Sequence, residues 1–204
     1  MDRTHRTDAN ASADQTRPPL RDDQVRRYAR HVLLPDVGGR GQARLLAAAV
    51  AVELGPGRAA EVTALAYLAA AGVGRIVLGG DLAGPIGDDE IATGVLYGAA
   101  DRGRPRGQAA RERIAALNPD VAVGEAGDAP DEAAGALRLA DELAPADPAA
   151  PVDPASLVLG LGGAVADALV RGGQAAAALL LRIARPARGE AAREAPREAS
   201  RRLP

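Results

Sequence analysis

A chain of 204 residues with a formal net charge of −2 has the length of one α/β domain with tails, and its charge argues against general binding to nucleic acid or an anionic membrane. It contains no Cys, Phe or Trp, and all 25 basic residues are arginine, which excludes disulfides, thiolate zinc sites, a thioester on this chain and any lysine amine as nucleophile or phosphate anchor. The longest apolar stretch, Ala164 to Ile183, is interrupted by Asp167, Arg171 and Gln174, so a soluble, cytoplasmic protein with no membrane span is expected.

Residues 1–19 are polar and end in Pro18-Pro19, the composition of a disordered leader, and an α/β domain is expected over 20–185. Asp22 or Asp23 is placed to cap a helix whose apolar side carries Val25, Tyr28, Val32 and Leu33, with Pro35 and Gly38-Gly39 ending it. A second short helix is predicted from Gln42 to Ala48. From Ala48 to Leu78 an apolar run (Val50, Val52, Leu54) meets Gly55-Pro56-Gly57, then an alanine-rich helical run to Ala71, then Gly72-Val73-Gly74 and Ile76-Val77-Leu78. This has the order and size, about thirty residues, of a βαβ unit.

Gly55, Gly57 and Ala60 fit G-x-G-x-x-A, a spacing that lets a backbone approach a phosphate at a helix N-terminus. The same letters also describe a glycine turn closing a buried βα junction, the commoner meaning in a chain with 24 glycines. Arg58, at the start of the helix, either meets an anion there or is a solvated arginine opposing the helix dipole.

Further on, 124–154 is a variable insert rich in Ala, Pro and Asp, with one predicted helix from Asp131 to Leu143. Its acidic residues lack the interval and the histidine partners of a metal site, and His5 and His31 are too few for zinc. Ser156 to Leu161 is read as a buried strand leading through Gly162-Gly163 into a long helix to Arg185. Residues 186–204 are read as a disordered tail, with Glu and Arg at helical spacing but Pro196 and no apolar positions.

Several segments resemble one family in consistent order: Arg27 to Gly38, Gly41 to Leu45, Tyr67 to Gly74, Leu96-Tyr97-Gly98 with Asp101, Gly103-Arg104-Pro105, and Ala116 to Pro119. Together they resemble the ThiF/MoeB/HesA family, the bacterial relatives of ubiquitin-activating enzymes, over roughly 22–123. The resemblance implies a Rossmann-like, doubly wound, mostly parallel sheet of the ThiF/MoeB type with N-terminal helices, here shortened in its second half. It also implies ATP binding, adenylation of the C-terminal carboxylate of a ubiquitin-like sulfur carrier, and a homodimer or a heterodimer with a family relative.

The departures fall on the nucleotide contacts that the resemblance implies. Gly80 stands where the family has an acidic ribose ligand, with Asp81 one step on; Glu90 and Thr93 stand where it has Asn and Arg; Arg106 stands where it has Lys. Arg58-Ala59 replaces a further glycine and a small apolar residue. For the magnesium-binding aspartate, either Gly160 and Gly163 replace the acidic positions, or the strand at 156–161 is another one and the catalytic segment is deleted. The candidate nucleotide contacts that remain are Gly55, Gly57, Arg58, Arg106 and Arg30, the last matching an arginine that the family sends across the dimer. No catalytic residue and no metal ligand is assigned.

Two functions are therefore expected in competition. One is a degenerate, non-catalytic scaffold or carrier-binding partner that needs no cofactor. The other is an active adenylyltransferase using ATP and magnesium. Binding of NAD or FAD by the glycine turn is disfavoured, because the acidic ribose residue is displaced to Asp81.

Overall fold

In this computed structural model, which describes residues 20–126, 136–143 and 163–185, the chain enters through helices α1 (Asp22–Arg27), α2 (Ala29–Val32) and α3 (Gly38–Ala47). Strand β1 (Ala49–Leu54), helix α4 (Ala59–Ala71) and strand β2 (Arg75–Gly80) then form the βαβ unit legible in the sequence. A short helix α5 (Asp88–Ala92) and a 3-10 turn (Ala99–Asp101) precede α6 (Arg106–Leu117) and β3 (Ala122–Glu125). Strand β4 (Leu137–Arg138), a 3-10 turn (Leu139–Asp141) and α7 (Gly163–Ala184) complete the described elements.

All pairings in the sheet are parallel, in the order β3-β2-β1-β4. The fold is thus α/β, with the strand order of one half of a doubly wound sheet. Register sets Val50 opposite Ile76 and Leu137, and Val52 opposite Leu78, so these apolar side chains share one face. Val50, Val52, Ile76 and Leu78 are fully buried in one cluster with Val62, Leu65, Leu68 and Ala69 of α4. Each large aliphatic side chain buried in this way contributes about 1.5–3 kcal/mol. With so little aromatic area available, aliphatic packing carries the core.

Helix α4 is buried almost all round because α7 packs along it. The contact is close: a Cβ on Gly172 would collide with the Ala60 carbonyl and lie 2.7 Å from the Thr63 Cβ. Length and composition alone would let α7 cross a membrane, yet here it lies against α4 and α3. At its other end α4 stops at Gly72, whose φ of +81° gives the left-handed cap that favours glycine.

Several boundaries differ from the sequence expectation, each for a long-range reason. The helix predicted from Asp22 through Leu33 is broken at Tyr28, with φ −102° and ψ 18°. The break carries the Tyr28 ring against Gly72, while its hydroxyl donates to Asp120 Oδ2 and accepts from Asn118 Nδ2, each at 3.0 Å. Arg21, not Asp22 or Asp23, occupies the N-cap position; its N–H donates to Gln24 Oε1 at 3.2 Å, and the two aspartates lie in the first turn, where the dipole favours them. Gly38 begins α3 instead of ending the preceding helix.

Within the predicted helix 131–143, residues 137–141 are strand and 3-10 turn, because Leu137 and Arg138 pair with β1 and Leu139 enters the core. The leader, the tail, the strand predicted at 156–161 and the insert apart from 124–126 and 136–143 lie outside the described residues.

Candidate functional site

Parallel α/β sheets offer ligands the crevice beyond the carboxyl ends of their strands, beside the place where strand order reverses. Here β1 is that strand, flanked by β2 and β4, and the turn Gly55-Pro56-Gly57 leaves its carboxyl end. Gly57 has φ +72° and is exposed, whereas Gly55 is buried beside Arg58 and Asp81, 3.7 Å from the Arg58 Cδ and 3.9 Å from the Asp81 Cβ to a Cβ built on it. Helix α4 starts there with Arg58 at its N-cap, and the Arg58 Nη1 donates to Glu61 Oε1 at 2.9 Å.

A side chain is sterically excluded at Gly80, the end of β2. A Cβ on Gly79 would lie 2.5 Å from Glu53 Oε1, and one on Gly80 would collide with the Leu54 carbonyl. The acidic ribose residue implied by the resemblance therefore has no room at Gly80, and the half-buried carboxylate nearest that edge belongs to Glu53 on β1.

The most strongly built part of the site is Arg106, at the start of α6, with a side chain only 4% exposed. Its Nε donates to both oxygens of the fully buried Glu90, at 2.9 and 3.0 Å, and its Nη1 donates to Asp81 Oδ2 at 3.0 Å. Glu90 Oε2 also accepts the Gly87 N–H at 3.0 Å, and Asp81 Oδ1 accepts the Gly84 N–H at 3.0 Å. Burial works against the Arg106 charge, but the hydrogen bond and charge of Glu90, with the charge of Asp81, more than offset it and raise its pKa above the ordinary arginine value. The neighbouring acids are also engaged: Asp89 Oδ2 accepts the Gly57 N–H at 3.2 Å, and Asp88 forms an ion pair with Arg102.

A second buried carboxylate, Asp101, closes the same loop region. Its oxygens accept from the Gly98 N–H at 2.9 Å, from Arg104 Nη1 at 2.9 Å and from Arg113 Nη2 at 2.6 Å. Burial raises its pKa, but these donors outweigh burial and hold it below the ordinary aspartate value.

Of the sequence candidates, Gly55, Gly57, Arg58 and Arg106 thus meet at one sheet edge, joined through Asp81 and Asp89. Arg30 does not join them. It is exposed on α2, next to His31, whose Nδ1 is 3.0 Å from Gln42 Oε1, while Gln42 Nε2 donates to the Ala71 carbonyl at 2.9 Å. That carbonyl is at the far end of α4, about 20 Å along the helix from the glycine turn. Within one chain Arg30 and the turn lie at opposite ends of the sheet.

Glu90, which stands where the resemblance implies Asn, has its charge compensated by Arg106, 16 residues away. The signal was present as two altered positions of opposite charge, but only the fold shows that they meet. Asp167, which interrupts the apolar stretch, pairs with Arg171 along α7. Among the described residues no group of three His, Asp or Glu side chains is arranged to hold a metal ion.

No family model matches the chain. It is 42% identical over 102 residues to the probable adenylyltransferase/sulfurtransferase MoeZ of Mycobacterium tuberculosis, a match covering 50% of this chain and 25% of that protein. It is 40% identical over 106 residues to the sulfur carrier protein adenylyltransferase of Thermus thermophilus, covering 50% of this chain and 36% of the relative. Among solved structures it is similar to PaaA, with 28% identity and a TM-score of 0.45, covering 52% of this chain and 36% of PaaA. The chain spans well under half the length of these relatives. Over half of its own length, the chain resembles the sulfur-carrier adenylyltransferases of the ThiF/MoeB/HesA type.

Proposed function

We propose that this chain is a ThiF/MoeB-like scaffold that binds a ubiquitin-like carrier, or the subunit of a relative, without itself adenylating the carrier. One observation carries the reading: Arg106, the cation at the position of the family's lysine, is buried, with its Nε–H shared between both Glu90 oxygens and its Nη1 on Asp81. Adenylyl transfer needs cationic groups free to spread the charge that develops on the phosphates, and the loss of one such group typically costs about 3–4 kcal/mol in the transition state. Arg58 is likewise paired, with Glu61, and Gly80 and Thr93 offer neither an acid nor a cation.

The carrier enters through the relatives, since the Thermus thermophilus protein is named for its action on a sulfur carrier protein. In this reading the protein works in the cytoplasm as a homodimer or as a heterodimer with a relative, and Arg30, remote from its own chain's turn, faces that partner. The competing reading, an active adenylyltransferase, draws on the 42% identity to MoeZ.

Calorimetry with ATP and magnesium, followed by pyrophosphate exchange in the presence of candidate ubiquitin-like carriers, separates the two. The scaffold predicts carrier binding with neither nucleotide binding nor exchange. Carrier-dependent exchange by the purified protein would overturn it.

A further inference from the structure

Helix α7 has 22 residues, a length of about 33 Å, and the apolar composition of a core helix, yet only 28% of its most apolar window is buried inside the molecule. Ala166, Val170, Gly173, Ala177 and Leu181 recur every three or four residues, so they share one face, and each is partly or fully exposed. Val170 is half exposed, and so is Tyr67 of α4, whose ring lies 3.9 Å from a Cβ built on Gly173. The apolar row thus continues onto the neighbouring helix. Beside it, one residue on, runs a polar flank with Asp167 and Arg171 towards the N-terminus, Gln174 in the middle, and Arg182 and Arg185 towards the C-terminus.

We propose that this face pairs with the same face of a second copy of the chain, α7 against α7, antiparallel about a two-fold axis near Ala177. Apolar faces of this extent on a soluble helix mark contact surfaces, and a pairing of identical patches is the commonest closed assembly. The order of charge along the flank selects the direction. A parallel pair would set Asp167 against Asp167 and the arginines against each other. In an antiparallel pair the acidic half of one helix lies beside the basic half of the other, so Asp167 of each copy meets Arg182 and Arg185 of its mate. These residues already pair within the chain, with Arg171, Glu142 and Asp36 respectively, but all three side chains are partly exposed and have room for a second opposite charge. A lipid surface would accept the apolar row and leave Asp167 and Gln174 against hydrocarbon, which a protein partner does not.

The pairing rests on the homodimer of the scaffold reading and adds the surface that forms it. Sedimentation equilibrium of the full chain at micromolar concentration should give a dimer. Asp167→Arg and, separately, Arg182→Asp/Arg185→Asp should each weaken it at least about tenfold, because like charges then meet at both ends of the pair. Mixed in equal amounts, the two variants should form a heterodimer, since every contact is again between opposite charges. The chain has no Cys, so Ala177→Cys supplies a single thiol. A short bismaleimide should cross-link that variant into dimers and leave Leu117→Cys, exposed at the end of α6, as monomers. The cross-link decides by itself should a charge variant fail to fold.

A dimer that neither charge variant weakens, variants that stay apart when mixed, or equal cross-linking at both thiols would overturn the pairing and leave the homodimer standing. A monomeric unaltered chain would overturn both, and binding of that monomer to phosphatidylcholine vesicles would assign the face to a membrane. Carrier-dependent exchange bears on catalysis alone and does not touch the pairing.

Discussion

Where β2 and β3 begin, the sheet edge is closed by the Tyr28 hydroxyl, the Asn118 amide and Asp120; where β1 and β2 finish, it is closed by Arg106, Glu90 and Asp81. The first edge joins neutral groups to one carboxylate that has several partners: Asn118 Nδ2 also donates to the Ala69 carbonyl at 2.8 Å, and Asp120 accepts from Arg21 at 2.6 Å and Gln24 at 3.2 Å and pairs with Arg27 at 3.3 Å. The second is built from full charges, one of them a carboxylate with no exposure at all. A neutral hydrogen bond in such a knot contributes about 1 kcal/mol, while a buried charge that loses its partner costs several times more. The two ends should therefore fail differently when cut.

The largest effect is expected from Glu90→Gln, which leaves the buried guanidinium without its counter-charge. Urea unfolding should show a loss of about 3–5 kcal/mol, and Glu90→Leu/Arg106→Met should recover most of it, since an apolar pair tolerates burial. If the single and double variants are equally unstable, the charged edge is no different in kind from the neutral one.

At the opposite edge Gly72→Ala should cost at least about 1–2 kcal/mol for the left-handed backbone, with a further loss because the new Cβ would lie 2.5 Å from the Tyr28 hydroxyl. Tyr28→Phe, which keeps the ring, should cost about 1 kcal/mol by the same measurement.

Acid and alkali should each test one titrating group, Asp101 beside the charged edge and Tyr28 at the other. The pKa of Asp101 is held below the ordinary aspartate value, against the raising effect of burial, by the Gly98 N–H, Arg113 and Arg104. Its contribution to stability is full above about pH 4 and is lost as pH falls through the lowered folded value. Asp101→Asn should flatten that acid limb in a series of unfolding curves.

Burial, with the charge of Asp120, pushes Tyr28 up to about 12, against the Asn118 amide, which lowers it. Its contribution is full below about pH 10 and is lost as pH rises through that value. Tyr28→Phe should remove this alkaline limb. The smallest effect belongs to Asp89→Asn alone, within about 1 kcal/mol, because both partners of its hydrogen bond are exposed.

The βαβ unit was legible in the sequence because its signals are local: alternating Val50, Val52 and Leu54, the glycine turn, and the Gly72 cap. The break at Tyr28 was not, since it is dictated by Asn118 and Asp120, some 90 residues on. Leu137-Arg138 is too short to show a period, and only its place beside β1 makes it a strand. In the site, the turn residues could be read from their letters, and so could the change of residue type at Glu90 and Arg106. That these two charges meet is a property of the loop between β2 and α6, which no spacing rule reports.

Gly172 links that site to time. Its missing side chain lets α7 lie against the Ala60 carbonyl, in the first turn of α4 beside the glycine turn. During synthesis the turn leaves the ribosome more than 100 residues before Gly172 does. At about 5–20 residues per second the edge of β1 waits roughly 6 to 20 seconds for the helix that covers its neighbour. Through that interval the apolar surface of α4 is open, and a chaperone or a partner subunit that reaches the nascent chain meets it before α7 does.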